Sequence, residues 1–292
     1  MSASIRSLIR SVIPAFAWNI LRNLKAQSRL QQFNSDLSRF SERLAHHNYG
    51  GVPLAVWITD PVAEEWYEHD WPVSHEIEFL SRFRLKPGAR VFDLGAHQCV
   101  VALQLTRVVG AEGSVLAVEA HPHNAEVGRR NRLQNGYPWL EIINAAVSDR
   151  PGSVVLDVTM LNCKVGQVGE IGRVEVPAFT IDELAEKHGT PDVILIDIEG
   201  HECAALRGAV QTLATRPDLL IEVHAGCGLE ELAGSVRELL ESIPSASYDL
   251  SIATGFRDGV ACEAGEFRPF RPDDPATGAR FFLAAIGKRS GR

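Results

Sequence analysis

Two carboxylates at the ends of apolar runs raise the first chemical question. Asp93 lies in Arg90-Val-Phe-Asp-Leu94, and Glu119 ends Ser114-Val-Leu-Ala-Val-Glu119. Both runs read as short buried strands of an open α/β sheet. A carboxylate at such an end can accept hydrogen bonds from a ligand. Glu119 stands about where a ribose-binding acid is expected after the first strand. Gly95 and Ala96 form a small-residue turn between the first strand and a helix, whose spacing runs through Val101, Ala102, Leu105, Val108 and Val109. A dinucleotide would need more glycine here, because a pyrophosphate must meet bare backbone at the helix start. The turn continues instead with His97, Gln98 and Cys99. That suits a phosphate-free adenosine cofactor with a cationic centre, such as S-adenosylmethionine (SAM). A tight turn with no ligand is the plain alternative.

The elements that position these groups follow from periodicity. His123 to Gln134 reads as a helix, with Pro122 in its first turn and Gly136 at its end. Trp139–Ala145, Asp192–Ile196 and Leu219–Val223 read as the third, fourth and fifth strands, and Tyr248–Ala253 with Arg280–Ile286 as a final antiparallel pair. Ser153–Val158 and Arg173–Phe179 are candidate extra strands around a Gly-rich loop. Thr180-Ile-Asp-Glu183 has the form of a capping box, and Leu229–Leu240 is helical by spacing. Alternating strands and helices predict an α/β fold, mostly parallel, with helices on both faces.

Composition narrows the class. The chain has 292 residues, 45% hydrophobic and 23% charged, with a net charge of −8. The acidic balance argues against a nucleic-acid partner bound by bulk charge. Five cysteines, at 99, 163, 203, 227 and 262, form no C-x-x-C pair. That pattern fits a reducing cytoplasm better than a disulfide framework. Residues 4–30 differ from the rest. Ile5, Leu8, Ile9, Val12, Ile13, Phe16, Ile20, Leu21 and Leu24 recur at helical spacing among Arg6, Arg10, Arg22, Lys25 and Arg29, with Pro14 as a kink. Such a basic amphipathic helix suits the inner face of an anionic membrane, or packing on protein or a second subunit. Leu30–Leu44 reads as continued helix and Val52–Thr59 as a strand. Trp57, Trp66, Tyr67 and Trp71 read as a packed cap or as an aromatic wall for a sugar-like acceptor. The chain divides on this reading into an N-terminal helix and cap, 1–72, and a main domain, 73–292.

A second dense stretch is Val193-Ile-Leu-Ile-Asp-Ile-Glu-Gly-His-Glu202 and its continuation to Gly208. Together with Asp93-Leu-Gly-Ala96, Glu119, Asn131 to Asn135, Asn144-Ala-Ala-Val-Ser-Asp149 and Thr180-Ile-Asp-Glu-Leu184, it resembles the FkbM family of SAM-dependent methyltransferases over roughly residues 88–225. The resemblance implies a seven-stranded class I methyltransferase sheet and methyl transfer from SAM to a hydroxyl of a sugar, lipid-linked glycan or secondary metabolite. Asp93, Gly95, Ala96 and His97 would line the methionine and ribose side. Glu119, with Ala120 beside it, would hold the ribose hydroxyls. Ala146, Val147 and Asp149 would lie near the adenine, and Asp197 beside the transferred methyl group. Three positions depart from the family pattern: His97 stands where Asn is usual, Cys99 where Gly is usual, and Leu195 where Lys is usual. These departures motivate a second reading, a non-catalytic SAM-binding or scaffold protein.

Methyl transfer to an alcohol needs alignment and a place for the proton. Asp197, Glu199, Glu202, Glu222, His201 and His224 all fall at or just after strands four and five. Asp197 is the choice for the polar role at the methyl centre, and His224 for the base, since an imidazole titrates near neutrality. Glu199 and Glu202 also suit the positive end of the following helix. Asp197, Glu199, Glu202 and His224 have the donor types of a Mg²⁺ or Mn²⁺ site, but their spacing is not diagnostic, and no metal ligand is assigned from sequence. The segment from Gly255 to Gly278 reads as a solvated insertion or a lid.

Overall fold

The computed structural model describes residues 28, 31, 35, 37–72, 74–157, 173–254, 266–271 and 273–288. The helix expected over 4–30 lies outside the described residues apart from Ser28. Residues 158–172, where a Gly-rich loop is expected, and half of the segment from Gly255 to Gly278 lie outside them too.

The centre is a parallel sheet built from β3 (Arg90–Leu94), β4 (Ser114–Glu119), β5 (Leu140–Asn144), β9 (Val193–Ile196) and β10 (Asp218–Val223). β13 (Phe281–Gly287) and β11 (Tyr248–Ala253) add antiparallel, as the sequence predicts. A two-residue edge strand, β12 (Arg268–Pro269), makes an eighth. The order β12-β11-β13-β10-β9-β3-β4-β5 reverses direction at β3. Such a reversal leaves a crevice at the carboxyl ends of the two diverging strands, here β3 and β9. These strands read as unbroken apolar runs because both faces are covered. Phe92, Leu94, Ile194, Ile196, Leu219 and Ile221 fill one side of the sheet, while Val91, Val115, Val193 and Leu220 fill the other.

The helices follow α/β logic. α3 (Val100–Val109) joins β3 to β4, and α4 (Pro122–Asn135) joins β4 to β5. α3 starts at Val100, directly after Cys99, which takes a left-handed conformation with φ 66°. α5 (Ile181–His188) carries the expected capping box: Thr180 Oγ1 accepts from the Glu183 N–H, and Glu183 accepts from the Thr180 N–H. α6 (Glu202–Arg207) and α7 (Val210–Ala214) follow β9. Leu229–Leu240 is not one helix. A short 3-10 turn, Glu230–Leu232, ends where Ala233 takes φ 62°, and α8 (Val236–Ser242) restarts from the Ser235 cap.

Two smaller sheets flank the centre. The candidate extra strands do form, as β7 (Gly152–Asp157) antiparallel to β8 (Arg173–Phe179), with the two-residue β6 (Ala146–Val147) parallel to β8. The other is a hairpin of β1 (Arg43–Tyr49) and β2 (Val52–Ile58), turning at Gly50 and Gly51, both with positive φ. Leu44, expected in a helix, is therefore in a strand paired with Trp57. The hairpin leads into α1 (Pro61–Tyr67) and then α2 (His75–Leu80). Tyr49, Val56, Ile58, Leu80, Leu103 and Val115 share one buried cluster. The cluster draws residues from both sides of position 72/73.

Candidate active site

The crevice floor is set by one close approach. Gly95 has φ 92°, and a Cβ there would lie 1.7 Å from the backbone oxygen of Asp197. Only glycine lets the ends of β3 and β9 meet in this way. The chain then turns through His97, at φ 48°, before entering α3. This turn is tied to the end of β4 by Glu119. Its Oε2 accepts from the His97 N–H at 2.8 Å, and its Oε1 from the His121 N–H at 2.7 Å. Burial still pushes the Glu119 carboxyl up to about 7, against these bonds and one from Asn124. Burial and then the Glu119 charge likewise raise Asp93 to about 7. Asp93 sits opposite Leu195 in the sheet, and its Oδ2 has no hydrogen-bond partner among the described residues. The family's usual Lys would stand at that opposite position.

The two turn departures occupy different places. His97 shares a 2.6 Å hydrogen bond through Nδ1 with the Tyr67 hydroxyl and lies 5.1 Å from the Trp66 ring. Burial lowers its pKa to about 4, so the ring is neutral near pH 7. Cys99 is fully buried beneath the turn, toward α4, where a Cβ on Gly128 would lie 2.5 Å from its sulfur. It does not crowd the crevice.

One cleft opens over this floor. It is a partly open cleft whose lining is mostly apolar, with a few convergent polar groups. Of the ten residues expected around the cofactor, seven line it: Gly95, His97, Glu119, Ala120, Ala146, Val147 and Asp197. Asp93, Ala96 and Asp149 do not. Asp93 is buried in the strand end beneath the turn, and Ala96 is buried beside it. Asp149 turns away to Arg207, 3.6 Å off. Sequence reasoning missed Leu156, Asn124 and Ile198 in the lining. Leu156 comes from β7, outside the central sheet, so no strand-end rule could find it. Of the aromatic stretch, Trp66 alone reaches the cleft, while Tyr67 and Trp71 pack with Tyr49 and Trp57 lies under Arg130.

These residues suit SAM. An acid held open at the second strand end fits ribose hydroxyls, and Val118, Ala145, Ala146, Val147 and Leu156 give an apolar bed for a base. Among the described residues, Gly95 is the one glycine lining the cleft, so it has no repeated glycine cradle for phosphates.

At the other end of the cleft stand Asp197 and Glu199, just beyond β9, with His201 at the start of α6. His224 follows β10 and does not line the cleft. It is 1% exposed and stands behind the two acids, with Nε2 3.7 Å from Asp197 Oδ1 and 3.5 Å from Glu199 Oε2. Its Nδ1 lies 2.7 Å from Glu202 Oε1. Glu202 is fully buried and also accepts from the Gly200 N–H at 2.8 Å, so it holds His224 and does not cap α6 from solvent. Desolvation, then the charges of Glu222 and Glu199, push the Asp197 carboxyl upward, although 53% of its side chain faces the open cleft. His224 is raised: burial lowers it, but Glu202 and the other nearby acids more than reverse that effect. Both groups keep a proton more readily than they would in water.

Comparison with known proteins places this geometry. The methyltransferase FkbM domain matches residues 93–250. The hexuronic acid methyltransferase AglP of Haloferax volcanii is 23% identical over 138 residues, which are 46% of this chain and 54% of that protein. The chain thus matches about half the length of that curated relative. Among solved structures, one described as a putative O-methyltransferase from Klebsiella pneumoniae superposes with a TM-score of 0.45 at 16% identity, covering 98% of this chain and 97% of the other. Another, described as a putative rRNA-methylase from Clostridium thermocellum, gives 0.46 at 12% identity, covering 74% and 95%.

Proposed function

We propose that this chain, which belongs to the FkbM family of SAM-dependent methyltransferases, moves a methyl group from SAM to a hydroxyl of a sugar, glycan or glycolipid. The observation that carries the reading is a single cleft lined by Glu119 at one strand end and by Asp197 and Glu199 at another, across a floor that only Gly95 permits. The sugar acceptor is supported by the name of the Haloferax relative.

SAM supplies a methyl group already activated by its sulfonium. The chain must hold the cofactor, align an acceptor oxygen for in-line attack and take up one proton. Glu119, fixed by two backbone N–H groups, keeps free lone pairs for the ribose hydroxyls. His97 and Trp66 wall the cleft near the turn. Asp197 faces the reacting oxygen, with His224 behind it as the base that shares the proton. Asp197 is the catalytic residue in this scheme, and Glu202 is a positioning residue for His224.

The reading places the protein in the cytoplasm, with residues 4–30 at the inner face of the membrane or against a second copy. Among the described residues no helix is long and apolar enough to cross a membrane. Calorimetric titration with SAM and with its demethylated product tests the cofactor site. Incubation with methyl-labelled SAM and a panel of sugars, uronic acids and glycolipids tests the transfer. Label in a sugar product supports the reading. Tight SAM binding with no transfer to any of them would move the non-catalytic reading ahead.

A further inference from the structure

His224 points a nitrogen at acids that cannot bond it. Nδ1 faces the buried Glu202 carboxylate, so the ring proton belongs on that side. In the neutral ring Nε2 is left with its lone pair, buried, with no hydrogen-bond partner among the described residues. Around it stand carboxylate oxygens of Glu199 at 3.5 Å, Glu222 at 3.6 Å and Asp197 at 3.7 Å. In their ionised forms these carboxylates only accept, so in that state acceptors converge here on an acceptor. A proton on Nε2 would remedy this poorly, because these separations exceed those of a hydrogen bond. The charge does not close either. Arg280 pairs with Glu222, leaving Asp197, Glu199 and Glu202 about a single imidazole.

We infer that Asp197, Glu199 and His224 hold a divalent cation of the Mn²⁺ or Mg²⁺ class at the acceptor end of the cleft. One donor atom from each of the three lies within 4.8 Å of the other two. Donors bound to one cation at about 2.1 Å stand about 3.0–3.4 Å apart; the two oxygens at 3.5 and 3.7 Å from His224 Nε2 need to close by a few tenths of an ångström, and no donor pair, being within 4.8 Å, needs to close by more than about 1.8 Å. Glu202 supplies what a metal-bound histidine ordinarily has behind it, a carboxylate on the other ring nitrogen that fixes tautomer and direction. The mixed imidazole and carboxylate donors suit Mn²⁺ and Mg²⁺, and three protein ligands leave coordination positions free. Asp197 and Glu199 line the cleft, so those positions open toward the acceptor. An acceptor hydroxyl bound there would lose its proton more readily, with His224 acting as ligand in place of free base. This catalytic role rests on the methyl-transfer reading. The ion site itself does not.

The test uses the full chain, stripped with a chelator and titrated with Mn²⁺ while the resonance of free Mn²⁺ is followed. One ion per chain is expected. Glu199→Gln should weaken binding at least tenfold while the circular dichroism and melting profile stay those of the parent. Asp197→Asn should do the same, and Glu141→Gln, at a distant exposed acid, should change nothing. His224→Ala is the stronger change but removes a buried side chain, so the two acid variants decide the matter. No Mn²⁺ binding, or binding that survives both of them, overturns the inference. A separate SAM titration, with chelator present, keeps the two proposals apart. SAM affinity in a chain that takes up no Mn²⁺ would sink the ion site and spare the methyltransferase reading. Mn²⁺ bound without any SAM affinity would do the reverse.

Discussion

Glu119 offers the sharpest test of the cofactor site, because its two oxygens already have known work. Each accepts one backbone N–H, from His97 and from His121, Asn124 gives the carboxylate a third bond, and acceptor capacity remains toward the cleft. In Glu119→Gln one oxygen becomes an NH₂ group, which then faces an N–H of the turn. The folded protein keeps one of the two bonds and leaves the other N–H unmatched, a cost of about 1–3 kcal/mol. The ribose loses a hydrogen bond to a charged acceptor, about 1.5–3 kcal/mol, which corresponds to about 10–150-fold in Kd. Calorimetry measures the affinity, and a melting curve shows that the variant is folded. A folded variant whose Kd for SAM stays within about twofold of the parent would refute the placement of ribose on Glu119. The pH dependence gives a second check. Glu119 and Asp93 both titrate at about 7 in the fold, so both are largely protonated at pH 6 and ionised at pH 8. SAM affinity should therefore rise over that interval. Stability without ligand should move the other way. These carboxyls keep protons in the fold that the unfolded chain has lost, so stability falls as pH rises from about 4 to about 7 and then levels.

Asp60 behaves oppositely: burial raises its pKa, but bonds from His123, the Ala63 N–H and Gln98 outweigh this and bring it from 3.8 to about 2. Its contribution of about 2 kcal/mol is complete above about pH 4 and is lost as pH falls toward 2, so Asp60→Asn should flatten that part of an acid-denaturation curve. Gly95→Ala should destabilise by more than about 2 kcal/mol, because the new Cβ meets the Asp197 backbone oxygen; a melting temperature equal to the parent's would show that β3 and β9 are not so close. Deleting residues 1–30 should release the protein from anionic liposomes in a flotation assay, and equal binding of both forms would end the membrane-surface reading.

The central sheet was readable because β3, β4, β9 and β10 are buried on both faces and so appear as bare apolar runs between turns. Asp93, Glu119 and Asp197 were readable as strand ends for the same reason. What the strand rule does not carry is where a side chain turns after the strand stops. Asp149 has the right position in sequence, but Arg207 draws it away from the cleft. His224 was read as a base at the crevice, yet it lies behind the acids and is held there by Glu202, a partner 22 residues away. β1 was hidden because Arg43-Leu-Ala-His-His-Asn-Tyr49 has weak alternation, and it is held by its pairing with β2, which in turn packs on the helices. The left-handed Ala233 that breaks Leu229–Leu240 is tertiary in origin. Gly234, the next residue, packs so tightly that a Cβ would lie 3.0 Å from the Cys203 sulfur.

The asparagines at 131 and 135 show how the cap reaches the chemistry. Four residues apart, they share one face of α4 and turn toward the hairpin. Asn135 accepts from the Ala55 N–H at 3.0 Å and donates to the Ala55 carbonyl at 2.8 Å, as a neighbouring strand would. Asn131 accepts from the Trp57 N–H at 2.8 Å and donates to the Gln98 carbonyl at 3.0 Å, joining β2 to the cofactor turn. With β2 fixed, Asp60 is placed to cap α1, to accept from Gln98 at 2.7 Å and to meet His123 at 3.1 Å. Seven residues on, the last residue of α1, Tyr67, bonds the His97 ring, whose backbone N–H in turn anchors Glu119. Every link in this series is a hydrogen bond in or near the protein interior, where an unmatched partner is costly. The turn that carries His97 in place of the usual Asn is therefore held from the hairpin side as well as from the sheet, and the ring that departs from the family pattern is the point where the two supports meet.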